Sequence, residues 1–261
     1  MSPRQDRLAA FSAFAALALG AAGMVFERAG PSVLAAEPEE FADWARSHHR
    51  ALLAQSGFLS ASTVPMLVFF TGLRAALRLR GGRAAHGPVD LPLVVLGAGA
   101  AWVVLQVAAQ ATQVSMATAA ARGATAGIVT SRRDLMVAIL SVGNPTMATA
   151  LAATAAVAFR DRALPRRLAW FTAAAGVVHV LPLIGEGGRA GRRSADGAFD
   201  YLPYPVFVAW LVSIAVHLMR SRADAIPPLP AKQIRVAPSG GSLPDVPAPV
   251  RSPAAPAPRT G

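Results

Sequence analysis

Cysteine is absent from the 261 residues, and that absence closes several chemical routes at once. Disulfide exchange, thiolate catalysis and Cys-ligated metals are all excluded, and with them a quinone-linked disulfide oxidoreductase. Lysine is nearly absent too: Lys232, close to the C-terminal end, stands alone, so a retinal-type Schiff base within an apolar segment is ruled out. There is no HExxH, no pair of aspartates in adjacent apolar runs, and no P-loop or GxGxxG ahead of a helix. The helical metalloprotease and nucleotide-binding signatures are therefore missing.

What the chain has instead is apolar length. Six stretches, about 8–26, 52–73, 91–116, 135–159, 168–185 and 203–219, are each long enough to cross roughly 30 Å of hydrocarbon at about 1.5 Å per residue. Lipid leaves no partner for an unpaired peptide group, so these runs read as helices, and the alternating ten-residue strands of a barrel are not present. The expected fold is an all-α, polytopic bundle of six transmembrane helices over residues 1–225. A Pro- and Ala-rich tail, 226–261, has too few bulky apolar residues to fold and reads as a disordered cytoplasmic tail. Proline pairs at PxxP spacing in that tail, such as Pro253 and Pro256, follow from its composition alone.

The net charge of +11 has a topological explanation. Sixteen of the 25 Lys and Arg residues fall on the termini and on every second connection, the N-terminal side, including Arg74, Arg78, Arg80 and Arg83. The other connections hold nine, and nine of the 14 acids, so that side is neutral. The positive-inside rule then places both termini in the cytoplasm and the protein in the cell membrane, with the lipid bilayer as its partner. A nucleic-acid binder would gather its cations with aromatics on one soluble face, so no nucleic acid is expected; protein partners are not readable. The first run competes with a signal-peptide reading, with Val33, Leu34 and Ala35 as a small-residue cleavage site. Its 19 apolar residues exceed a usual h-region and favour a retained helix.

Outside the apolar runs, residues 39–51 place Phe41, Trp44 and His48 at helical spacing, acids early and arginines late, which predicts an amphipathic helix on the outer interface with Trp44 as an anchor. Tyr201 and Tyr204 mark the interface where the sixth run enters, with Pro203 and Pro205 suited to its first turn.

Polar residues inside the apolar runs are the candidate lining of the bundle. Gln106, Gln110 and Gln113 recur at i, i+4 and i+7, with Trp102 one turn earlier; Ser56, Ser60 and Thr63 form a matching stripe. Asn144 precedes Pro145, which should kink its helix, and His179 precedes Pro182. Two readings stay open: interhelical glue, each pair contributing on the order of 0.6 kcal/mol, or a pocket or permeation path for a small solute or lipid. A membrane-embedded enzyme ranks third, and no catalytic residue is assigned.

No cofactor or metal is implied either. His179 and His217 lie at different depths, which disfavours a bis-histidine haem. His48 and His49 lack the i, i+4 spacing that sets two ligands on one helix face. The two halves of the chain share no repeated motif that would mark a transporter.

Ala42 to Ala45 (ADWA), Arg50, FFTGLRAALR at 69–78 and ALPRRLAW at 163–170 together give the chain a further likeness. Over residues 8–222 it resembles a family of six-helix bacterial integral membrane proteins filed as a domain of unknown function. The resemblance implies the six-span topology and carries no activity or site residue with it. The excess of arginine over lysine and the alanine bias suit a bacterial genome rich in G and C.

Overall fold

The computed structural model describes residues 3–26, 37–80, 89–188 and 202–220, all within one compact unit, residues 1–225. The C-terminal segment read as a tail, and Tyr201, lie outside the described residues. Among those described, every regular element is an α-helix. They are α1 (Pro3–Val25), α2 (Pro38–Ser47), α3 (His49–Arg80), α4 (Leu91–Ala121), α5 (Ala126–Asp161), α6 (Arg166–Gly188) and α7 (Pro203–Arg220). Five of them, α1, α3, α4, α5 and α7, are long and apolar enough to cross a membrane.

Each boundary has a local cause. Asp90 caps α4, its carboxylate accepting from the Leu93 N–H at 3.0 Å, with Pro92 in the first turn where no N–H is needed. Gly123, at φ +73°, turns the chain between α4 and α5 in a conformation that costs glycine little. Arg162 ends α5 in the left-handed region, and Pro165 follows within three residues, before α6.

The six long helices form a closed ring in the order α1, α3, α4, α5, α6, α7 and back to α1, while α2 lies against α4 and α5. Neighbours in the ring run antiparallel. One end of the ring gathers the arginine-rich helix ends; the other carries the α4–α5 turn. The core toward the arginine-rich end is filled by Phe69, Phe70, Leu73, Leu151, Trp210 and Leu211, with small residues where helices approach closely. On α1 the buried apolar side chains are all alanines, Ala9, Ala10, Ala13 and Ala16. Gly72 of α3 faces Ala9 with no room for a Cβ between them. Small residues let backbones meet in an environment where apolar side chains gain nothing by leaving lipid.

Three helices overrun the expected spans. α3, α4 and α5 have 32, 31 and 36 residues. At 1.5 Å per residue α5 is about 54 Å long, well beyond a hydrocarbon core of roughly 30 Å. The extensions of α4 and α5 meet α2 and the start of α3 in a second, separate cluster at the hairpin end: Phe41, Ala42, Ala45, Leu52, Met116, Ala117, Ala120 and Val129. The amphipathic helix expected over 39–51 is divided there. α2 ends at Ser47, His48 is out of helical geometry at φ −111°, ψ 12°, and α3 starts at His49. α5 continues as one helix through Pro145.

Candidate functional site

The polar stripe of α4 divides into two regions with different bonding. Gln113, buried, donates from Nε2 to Gln55 Oε1 at 2.8 Å and to the Leu52 carbonyl at 3.3 Å, tying α4 to α3. This is an interhelical bond of the glue kind. One turn along the same α3–α4 contact, Gln110 and Ser56 are both buried, yet Gln110 Oε1 and Ser56 Oγ have no hydrogen-bond partner among the described residues. Buried polar oxygens without a partner cost about 1–3 kcal/mol each, so they mark a place where bonding capacity is held in reserve.

The next turn faces the interior of the ring. A Cβ at Gly143 of α5 would lie 3.6 Å from Trp102 Cδ1, 3.9 Å from Trp102 Nε1 and 3.9 Å from Gln106 Nε2, so the glycine leaves the indole and amide of α4 uncovered on that side. Asn144, half-buried, follows directly. The Trp102 ring lies 5.1 Å from Phe207 of α7, and Phe207 meets His179 of α6 edge-on at 6.4 Å. Four helices, α4 to α7, thus link Trp102, Gln106, Phe207 and His179 in a run of contacts beside Gly143.

Their depths agree. Gln106 is about 22 Å from the start of α4, Asn144 about 26 Å from the end of α5, and His179 about 20 Å from the start of α6, all counted from the arginine-rich end at 1.5 Å per residue. Gln113 is about 33 Å from the start of α4 and belongs with the extension toward α2. The five residues expected to form one lining therefore separate by depth and bonding: Gln106, Asn144 and His179 lie at similar depths, Gln110 is buried one turn from Gln106, and Gln113 ties α4 to α3.

Bonding in the ring interior is sparse. His179 is buried, and its Nδ1 lies 2.8 Å from the Ala175 carbonyl of its own helix. A carbonyl only accepts, so Nδ1 carries the proton and Nε2 presents a lone pair. Gln106 and Asn144 make no hydrogen bond to another helix among the described residues. The α3 stripe adds little: Thr63 Oγ1 donates to the Ser60 carbonyl on its own helix at 2.6 Å.

Two further clusters lie outside the expected lining. At the arginine-rich end Arg80 Nη2 is 3.4 Å from Asp6 Oδ2, and Arg80 Nη1 donates to His217 Nε2 at 3.2 Å, joining α3 to α1 and α7. Asp6 lies just before the first apolar run, where hydropathy gives no reason to single it out. At the hairpin end the Arg133 guanidinium stacks 4.8 Å over the Phe41 ring, and its Nε donates to Asp134 at 3.0 Å. No three His, Asp or Glu side chains come together as a metal cluster among the described residues. No protein-family profile, curated protein or solved structure matches the chain.

Proposed function

We propose that the chain is a six-span protein of the cell membrane, both termini cytoplasmic, that binds or passes a small polar solute or lipid group in the ring interior without converting it. The sixth span is α6, whose 23 residues reach about 34 Å at 1.5 Å per residue. The resemblance to six-helix bacterial membrane proteins supports the same count. The orientation rests on the sixteen Lys and Arg of the arginine-rich side against nine on the other. A retained first helix accords with the four buried alanines that α1 contributes to the core.

The observation that carries the binding role is the contrast along one stripe. Gln113 is bonded across helices, whereas Gln106 and Asn144 are not, and Gln110 Oε1 and Ser56 Oγ are buried without partners. Glue would pair these amides. Amides, an imidazole lone pair and two aromatic rings, with no charged side chain beside them, suit a neutral ligand rich in hydrogen-bonding groups.

Thermal unfolding of the detergent-solubilised protein separates the readings. Gln113→Leu is expected to cost about 1 kcal/mol, within the range measured for interhelical bonds in membranes. Gln106→Leu and Asn144→Leu are expected to leave stability unchanged or raise it. Losses in these two equal to that of Gln113→Leu would return the whole stripe to glue and sink the binding role.

A further inference from the structure

The connection from α5 to α6 carries four arginines, Arg160, Arg162, Arg166 and Arg167, all exposed, against one acid, Asp161. It is pinned to the bundle, because Ala163 and Leu164 within it are buried in the main core cluster. Phe159 and Trp170 flank it, both exposed, with their rings edge to face at 4.9 Å. A fixed cationic platform therefore lies beside an exposed aromatic pair.

Folding does not account for where these charges sit. Arg162 occupies the left-handed region at φ 53°, a conformation that glycine adopts at lower cost. Arg166 and Arg167 open α6, whose first turn has no acid, and a cation at a helix N-terminus opposes the dipole. The arginines of α3 differ. Arg78 and Arg80 fall in its last turn, where the dipole favours a cation, and Arg80 engages Asp6 and His217 within the protein. Three of the four cations between α5 and α6 thus work against the fold, and an anion from outside the chain would offset them.

We infer that this connection is a docking surface for the headgroups of anionic phospholipids, with Trp170, one turn into α6, at the level of the lipid interface. Charge and place select that partner. α5 is long and apolar enough to cross a membrane, so its arginine-rich end reaches a headgroup layer. Tryptophan and clustered arginines are both enriched where helices meet that layer, and a net-negative headgroup answers an excess of cations that a zwitterionic one does not. The surface is separate from the ring interior and needs no solute there; it rests on α6 entering the bilayer beside α5.

The test uses the full chain in uncharged detergent, titrated with phosphatidylglycerol, phosphatidylcholine or inorganic phosphate and followed by thermal unfolding. Phosphatidylglycerol is expected to raise the midpoint saturably, and the other two are not expected to do so at the same concentrations. Arg162→Gly and Arg166→Gln should each weaken the affinity for phosphatidylglycerol about fivefold, the weight of one cation at a membrane surface. Without lipid both variants should melt no lower than the parent, and Arg78→Gln should keep the parent's affinity. Equal stabilisation by phosphatidylcholine would mean that acyl chains alone bind, and equal stabilisation by phosphate that a soluble anion does; either result overturns the proposal. So would parent affinity in the two variants, or an equal loss in Arg78→Gln, which would assign the effect to the cationic end as a whole. A lipid-free loss of stability in both variants would do the same, because those arginines would then serve the fold.

Discussion

A Cβ on Gly99 would meet Phe70 Cγ at 2.5 Å, and Phe70 is fully buried among α3, α4 and their neighbours, with nowhere to retreat. Gly99→Ala is therefore expected to cost about 1–3 kcal/mol through overpacking, read as a fall in the thermal midpoint in detergent. Gly97, two residues earlier in the same helix, has nothing within 4 Å of the same position. Gly97→Ala should be neutral or stabilise by up to about 1 kcal/mol, since only the propensity gain remains. The two glycines look alike in the sequence, because a close approach belongs to the partner helix and leaves no mark on its own. The same holds for the glutamines. Their period along α4 was legible. Which of them is bonded depends on the antiparallel register that brings Gln55 and Leu52 opposite Gln113, and a single stripe does not encode that register.

At the scale of elements, apolar length located five of the helices now seen to be long enough to span, and α7 begins at the residue where its apolar run begins. The misjudged ends are those of α3, α4 and α5. Their extra turns carry Arg78, Arg80, Arg132, Arg133 and Asp134, which interrupt hydropathy without interrupting a helix. Charged residues are good helix formers, so a hydropathy window finds where lipid begins and misses where the helix ends. What the extra turns of α4 and α5 build is the second cluster with α2. Its anchor is Phe41, 1% exposed, packed under Arg133 and beside Trp44. Phe41→Ala is expected to remove about 3–5 kcal/mol from that cluster. Hydrogen exchange should then rise across the α2 amides, while the α1–α3 contact at the other end of the ring stays protected. Exchange that rose equally in both places would mean that the two clusters unfold as one.

For the whole molecule, the alternation of arginine-rich and neutral connections makes a topological prediction. A reporter active only in the periplasm should be silent when fused at Arg83 and active when fused at Arg192. The reverse pattern would invert the orientation, and activity at both sites would remove a span between them. The architecture itself, a ring of six helices, was only half legible. Six runs were countable from hydropathy, but their circular order is closed by contacts between helices distant in the chain, α1 with α7.

That circular order has a consequence for biogenesis. α1 emerges first of the ring helices and α7 last, yet they are neighbours, so the ring has an open side for most of synthesis. Until α7 arrives, Arg80 lacks His217, Phe69 lacks Trp210, and Trp102 and His179 lack Phe207. The final helix therefore works as a keystone: the aromatic contacts around Phe207 and the lock at the arginine-rich end are completed in the same event, and a nascent chain arrested before it has neither.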